Sequence, residues 1–138
     1  MHKTLYKLSM LSLLLVMALV VYITYLNVVK SNEFYLTDPV SVQVETVKRG
    51  DILPVAFHYC KKVGRSAVIS YQLVNGQIIN LSQNDVITST DCHGDDKLVE
   101  IPHSIPPSAY KLIINVTYDR SIFKKESYTY ETAYFSVK

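Results

Sequence analysis

The chain begins with one uninterrupted apolar block and then changes to alternating apolar and polar positions. The block covers residues 8–29 and contains no charged residue and no proline. As a helix, these residues would extend about 33 Å, enough to cross a hydrocarbon core of roughly 30 Å. No polar positions recur along the block to form the solvated face of a surface helix. The pattern therefore predicts a transmembrane helix.

Two fates of this helix fit the pattern. The basic segment 1–7 also suits a cleaved signal peptide, but the apolar run exceeds the roughly 7–15 residues of a usual h-region. The sequence YLNVVKSNEF that follows lacks a pair of small residues for cleavage. We expect an uncleaved signal-anchor over 8–29, with cleavage as the alternative. Lys3 and Lys7 outweigh Lys30, so segment 1–7 should remain cytoplasmic and the rest should be exported.

Beyond an expected polar tether at 30–39, the chain shows the period of two that is typical of half-buried strands. Asn75-Gly76 adds a strong hairpin signal, because both residues tolerate the positive φ of a type I′ turn. The predicted strands cover 40–47, 52–60, 66–74, 77–81, 85–90, 97–101, 109–119 and 128–137. About seven or eight short strands predict an all-β domain over 40–138, an antiparallel β-sandwich of immunoglobulin-like type.

One stretch, IPPSAYKLIINVTY, resembles the approach to strand F in immunoglobulin and fibronectin type III sandwiches. There an apolar residue and a proline precede a tyrosine that opens the strand; Ile105, Pro107 and Tyr110 match this pattern. The chain has no Trp, and its predicted strand F has no Cys. It therefore departs from a variable immunoglobulin domain, which removes the main support for an antibody-like receptor function.

The wider layout resembles small membrane-anchored proteins encoded by bacteriophages. In these, a Gly-Asp turn leads into a strand that ends in Tyr-Cys-Lys, followed by a second Cys, Pro-Pro and a strand opened by Tyr. The matching residues are Gly50-Asp51, Tyr59-Cys60-Lys61, Cys92, Pro106-Pro107 and Tyr110. The resemblance implies a bacterial inner membrane and periplasm, with a cell surface as the alternative, and it implies no activity.

Charge limits the classes of partner. Three of the 14 Lys and Arg residues flank the apolar block, which leaves 11 against 12 Asp and Glu in the expected exported part. This near-balance provides no basic field for nucleic acid. We expect the pairs Lys61-Lys62 and Lys124-Lys125 to be solvated strand ends.

Cys60 and Cys92 are the two cysteines of the chain, and an exported domain makes a disulfide the expected state. Cys60 lies on the strand face opposite to Phe57 and Tyr59. Cys92 lies in the acidic stretch 91–96, which we expect to be a loop. The bridge should then join a strand end to a loop outside the main core.

A metal site is the alternative use of the same region. His58, Cys60, Cys92 and His93 would be close together if the cysteines meet, and such a set could hold zinc or copper. The spacing is not that of a known zinc motif, oxidation would remove both thiolates, and the acidic stretch lacks the residues of a calcium loop. We therefore expect no metal and no cofactor.

No catalytic motif is visible. The chain lacks G-x-S-x-G, H-E-x-x-H and any glycine-rich phosphate loop, so we expect no enzyme and no small-molecule substrate. Among the 11 tyrosines, Tyr128, Tyr130 and Tyr134 are candidates for an exposed binding strip, and core filling is the simpler interpretation. Asn80 and Asn115 open glycosylation sequons that matter only in a eukaryotic host.

These features predict a single-pass membrane protein whose exported domain is a non-catalytic binding or scaffolding module for a protein partner. Sandwich edges and end loops are the expected contact sites. The first alternative is the periplasmic metal-binding module. The second is a surface adhesion protein that uses Arg49-Gly50-Asp51, although this triplet has the position of a short turn between two strands.

Overall fold

The computed structural model describes residues 2–28, 33–62 and 64–138, and it divides the chain into two compact units. The first unit contains the helix α1 (His2–Val28), whose segment Tyr6–Leu26 is long and apolar enough to cross a membrane. A signal sequence would have the same length and composition. The predicted apolar helix is thus confirmed.

The second unit is an all-β domain. Its described residues form the strands β1 (Phe34–Leu36), β2 (Ser41–Val42), β3 (Thr46–Val47), β4 (Ile52–Lys61), β5 (Ala67–Val74), β6 (Ile78–Ile87), β7 (Asp91–Glu100), β8 (Ser108–Ser121), β9 (Lys124–Glu131) and β10 (Phe135–Val137).

These strands form two sheets. In the four-stranded sheet, β4 pairs with β7 along one edge and with β1 and β2 along the other. In the six-stranded sheet the order is β3-β10-β8-β5-β6, and β9 also pairs with β8. All pairs are antiparallel except β3 with β10. The all-β class predicted from the alternating pattern is confirmed as a two-sheet fold.

The alternation buries one face of each long strand in a single core between the sheets. Leu53, Val55 and Phe57 of β4 are fully buried, as are Leu112 and Ile114 of β8. Aromatic rings join the two sheets at one end of this core, where Phe34 of β1 contacts Tyr128 of β9 at a centroid distance of 6.1 Å. Because apolar burial is the dominant stabilising term, this shared core makes the two sheets one folding unit.

Some strand boundaries differ from the prediction. Residues 40–47 form two short strands, because the chain pairs first with β4 and then with β10 in the other sheet. The predicted strands 77–81 and 85–90 are joined in β6, whose pairing with β5 shifts between Ser70 and Gln72. A β-bulge of this kind lets one strand carry extra residues without losing its inward alternation.

The expected tether 30–39 is partly structured. Its residues 34–36 form β1, which pairs with the end of β4 in the register Phe34↔Lys61. Phe34 is buried and contacts Phe57 and Tyr59. The β-domain therefore begins at least six residues before the predicted boundary at residue 40.

Two turns follow the glycine signals. Gly76 has φ +66°, and Val74 pairs with Ile78, so the predicted hairpin has a three-residue loop in place of a two-residue type I′ turn. Gly50 has φ +83° in the turn that Asp51 closes by donating its N–H to Lys48. The Arg-Gly-Asp triplet thus occupies the predicted short link, between β3 and β4.

Lys61 corrects the expectation of a solvated strand end. The residue is 1% exposed, and its Nζ donates to the carbonyls of Ser89 at 3.1 Å and Thr88 at 3.5 Å. Burial lowers the pKa of this amine. The apolar stem fills the end of the core, while the amine satisfies two carbonyls of the chain between β6 and β7.

Candidate functional site

The disulfide Cys60–Cys92 joins residues that face each other directly in the pairing of β4 with β7, with 4.0 Å between their Cα atoms. The predicted bond is confirmed, but its setting differs. The acidic stretch 91–96, expected as a loop, is the first part of β7 and is paired with β4 throughout. The bridge therefore links two adjacent strands, and it does not attach a loop to a strand end.

His58 lies two positions before Cys60, on the same outer face of the four-stranded sheet. Its Nδ1 is 3.0 Å from Oδ2 of Asp38. Opposite His58 in the register is Gly94, where an added Cβ would lie 3.2 Å from the imidazole ring. The ring thus packs closely over Gly94, where a larger residue would require the imidazole to shift by a few tenths of an ångström, and Asp38 contacts it on one side.

His93 lies on the other face of the same sheet. It is opposite Tyr59, which is buried in the core, and the two rings are 6.0 Å apart. Its Nε2 is buried and has no hydrogen-bond partner in the structure. Because side chains alternate between faces along a strand, His58 and His93 do not converge. No three His, Cys, Asp or Glu side chains among the described residues are placed to share a metal ion.

The three candidate tyrosines of the C-terminal region have different surroundings. Tyr128 stacks on Tyr118 at a centroid distance of 6.2 Å, and Tyr130 meets the edge of Phe57 at 6.1 Å. Both are half-buried against the core. Tyr134 is 63% exposed, and the Lys111 ammonium lies 4.9 Å from its ring centroid. The three rings do not form a continuous exposed strip.

Glu126 is a buried carboxylate that the alternating sequence pattern does not predict. This side chain is 6% exposed and accepts hydrogen bonds from Tyr118 Oη at 3.0 Å and Tyr128 Oη at 3.1 Å. Nη1 of Arg120 lies 3.0 Å from its other oxygen. A buried charge is tolerated only when paired and hydrogen-bonded, so this group fixes β9 against β8.

The outer face of the six-stranded sheet carries a ladder of amide and hydroxyl side chains across four strands. Gln72 donates to Asn80 at 2.7 Å and accepts from Asn115 at 3.2 Å. Thr129 donates to the Asn115 oxygen at 2.8 Å. The Nδ2 that a glycan on Asn115 would modify therefore already donates within the ladder. The ladder links side chains of β6, β5, β8 and β9 across the outer face of the sheet.

Three long strands lie at sheet edges, with one described strand partner each: β6, β7 and β9. Charged residues, which protect edges against pairing with other chains, are numerous on two of them. Strand β7 contains Asp91, Asp95, Asp96, Lys97 and Glu100, and β9 contains Lys124, Lys125, Glu126 and Glu131. Strand β6 has a single charged residue, Asp85.

The edge of β7 is also covered. Gln83 of β6 donates its Nε2 to the Leu98 carbonyl at 2.7 Å, and its Oε1 accepts from the Glu100 N–H at 3.1 Å. One amide side chain thus replaces a strand partner at this part of β7. By contrast, Ile78 and Val86 of β6 are 66% and 60% exposed. The edge of β6 is the least protected of the three.

Comparison with known proteins does not assign the chain to a family. No protein-family model matches the sequence, and no curated protein matches it. The functional interpretation therefore depends on the geometry of the chain itself.

Proposed function

We propose that the chain is a single-pass membrane protein whose exported, immunoglobulin-like domain is a non-catalytic module that binds a protein partner. The immunoglobulin-like assignment is supported by Tyr110, whose Oη donates to the Pro106 carbonyl at 2.7 Å. This is the hydrogen bond of a tyrosine corner at the start of strand F. The pairings of β4 with β7 and of β5 with β8 are also those of strands B with E and C with F.

The anchor is supported by features at both ends of the span. Tyr6 and Tyr25 lie near the two ends of the apolar segment Tyr6–Leu26, and tyrosine is enriched where transmembrane helices meet the membrane interface. The excess of lysine on the N-terminal side favours a cytoplasmic N-terminus. The Cys60–Cys92 disulfide agrees with an oxidising compartment for the β-domain. A bacterial periplasm is the compartment that the phage resemblance favours.

The observation that carries the binding role is the edge of β6, a ten-residue strand with one charge and two exposed aliphatic side chains. Unpaired backbone N–H and C=O groups of an edge can accept an added strand from a partner. The side-chain ladder fixes the outer face next to this edge, which lowers the entropic cost of binding. The chemistry fits an extended, uncharged segment of a protein partner that adds to β6.

Site-specific photo-crosslinking in cells that naturally carry the gene tests this proposal. A benzoylphenylalanine at Asn84 places the probe on the exposed face of β6, and the same probe at Ser127 is the matched control on β9. We expect a discrete crosslinked product from position 84 and none from position 127. A V86K substitution should weaken the product, because a lysine on an edge opposes strand addition.

The control substitution is S127K, which adds the same charge to the opposite edge of the same sheet. It should leave the product from position 84 unchanged. Crosslinks of equal strength from both edges, or none from β6, would show that β6 is not the contact site.

A further inference from the structure

The chain enters the β-domain at an end where several loops also lie. The Glu33 carbonyl accepts a hydrogen bond from the Lys62 N–H at 2.7 Å, just before β1 begins. Arg65 donates to the Asp119 carbonyl at 3.2 Å, which brings the link between β4 and β5 against the end of β8. We call this the tether end: it contains Glu33, the facing pair Lys61 and Asp91, Lys62, residues 64–66 and the turn between β8 and β9.

The turn Ile122–Phe123 is the most apolar exposed feature of the tether end. Ile122 is 88% exposed and Phe123 is 73% exposed. Ser121 pairs with Lys124, so these two residues are the whole turn. Neither residue has a positive φ, so the backbone of the turn does not require glycine. Hairpin tips are nevertheless usually built from Gly, Asn, Asp and Ser, which suit an exposed turn. Two large apolar residues at such a tip depart from this preference. Departures from local sequence preferences are expected at functional sites.

Charged residues surround the turn. Arg120, Lys124 and Lys125 flank it, and Asp119 and Glu126 lie one step further from the tip. Arg120 is paired with the buried Glu126, while Lys125 and Asp119 are 4.0 Å apart and exposed. The other charges of the tether end are exposed Lys62 and Arg65, buried Lys61, and the carboxylates of Glu33 and Asp91. Cations therefore lie nearest to the apolar tip, an order that suits an anionic headgroup layer.

We propose that the turn Ile122–Phe123 inserts into the headgroup region of the membrane that α1 spans. The inference rests on the proposed anchoring of the chain. Few residues separate the end of α1 at Val28 from Glu33, and the chain enters the β-domain at the end that carries the turn. Aromatic and aliphatic side chains with adjacent lysines bind well at a membrane–water interface. The apolar side chains enter the boundary of the acyl chains, while the ammonium groups reach the lipid phosphates.

The absence of tryptophan from the chain allows a direct test. The F123W substitution places a single indole at the tip of the turn in the full chain, reconstituted in vesicles of phosphatidylcholine and phosphatidylglycerol. Lipids brominated on the acyl chain quench an indole that they contact. We expect the emission of F123W to shift to shorter wavelength and to lose intensity when brominated lipid replaces the ordinary lipid.

Two matched single-tryptophan variants complete the design. I78W lies at an exposed aliphatic position beside the Asn75–Gly76 loop, at the other end of the domain, and should not be quenched. L15W lies in the middle of the apolar segment and reports on the anchor itself. Quenching of L15W without quenching of F123W would overturn the inference and leave the anchor intact. Loss of quenching at both positions would overturn the anchor as well, and equal quenching of F123W and I78W would show non-specific adsorption.

Discussion

Buried tyrosine hydroxyls determine how the β-domain should respond to alkaline pH. Burial, together with the neighbouring Tyr128, raises the pKa of Tyr130 from 10.0 to about 12. Burial and the Asp85 carboxylate, which accepts a hydrogen bond from the hydroxyl, raise the pKa of Tyr71 as well. Ionisation of either phenol in the folded domain would place an anion in a partly apolar site.

We expect the free energy of unfolding to fall as the pH rises from 10 to 12. A phenol whose folded pKa is raised stabilises the fold fully below its unfolded pKa, near 10. Between that value and the folded pKa, the unfolded chain has already lost the proton that the folded domain retains, so stability decreases. Urea unfolding at a series of pH values, followed by the circular dichroism of the sheets, measures this slope. The Y130F variant should show a shallower slope, because it has one such phenol fewer.

The control for this experiment is Y134F, which removes the hydroxyl of an exposed ring. Its slope between pH 10 and 12 should match that of the unsubstituted chain. An equal slope in Y130F and in the unsubstituted chain would refute the assignment.

Residue-level burial was only partly predictable. Alternation correctly placed Tyr71, Tyr110 and Tyr118 inside, because their strands are paired on both sides. The environment of Tyr130 depends on Phe34, which comes from a segment with no strand pattern. Burial of Lys61 likewise depends on carbonyls about 28 residues away in sequence. Local periodicity contains no information about such long-range partners.

At the scale of elements, the disulfide closes the β4–β7 pair. Cys60 and Cys92 are 32 residues apart in sequence. Closing a loop of this length restricts the unfolded chain and stabilises the fold by roughly 3–4 kcal/mol according to loop-closure entropy. In the folded state, the ten facing residue pairs of β4 and β7 already hold the two strands in register. We expect the C60A/C92A double variant to remain folded but to lose about 3 kcal/mol of unfolding free energy, measured by urea titration under oxidising conditions.

Reduction provides the matched control. A reductant should destabilise the unsubstituted chain by a similar amount and should have no effect on C60A/C92A. A double variant as stable as the oxidised parent would mean that the bridge does not restrict the unfolded chain.

Strands can be predicted from the sequence where their pairing follows the local alternating pattern. They cannot be predicted where the chain passes from one sheet to the other. Strands β5 and β8 agree closely with their alternating segments, since each lies inside a sheet. The split of 40–47 depends on β10, which lies about ninety residues later. Local propensity does not predict the first part of β7, because Asp91, Gly94 and Asp96 are poor strand formers. Pairing with β4 overrides that propensity.

At the scale of the whole molecule, the two candidate contact surfaces lie on different parts of the β-domain. The apolar turn Ile122–Phe123 lies at the end where the chain enters the β-domain, and the edge of β6 extends from that end to the Asn75–Gly76 loop. The apolar helix could be predicted from composition alone, but neither candidate surface could, because each depends on which strands pair with which.

The proposed orientation of the chain in a membrane depends on few charges, and we expect that it can be inverted. Lys3 and Lys7 precede the apolar segment, and their replacement by glutamine would leave Lys30 as the dominant flanking cation. Under the positive-inside rule, a larger fraction of K3Q/K7Q chains should insert with the β-domain in the cytoplasm. There, reducing conditions would keep Cys60 and Cys92 as thiols.

A gel shift with a maleimide polymer on whole-cell samples measures the fraction of chains whose β-domain is in the cytoplasm. The parent chain should show blocked thiols, the variant an added doubly modified band, and C60A/C92A no shift. Two free thiols in most parent chains would contradict export of the domain.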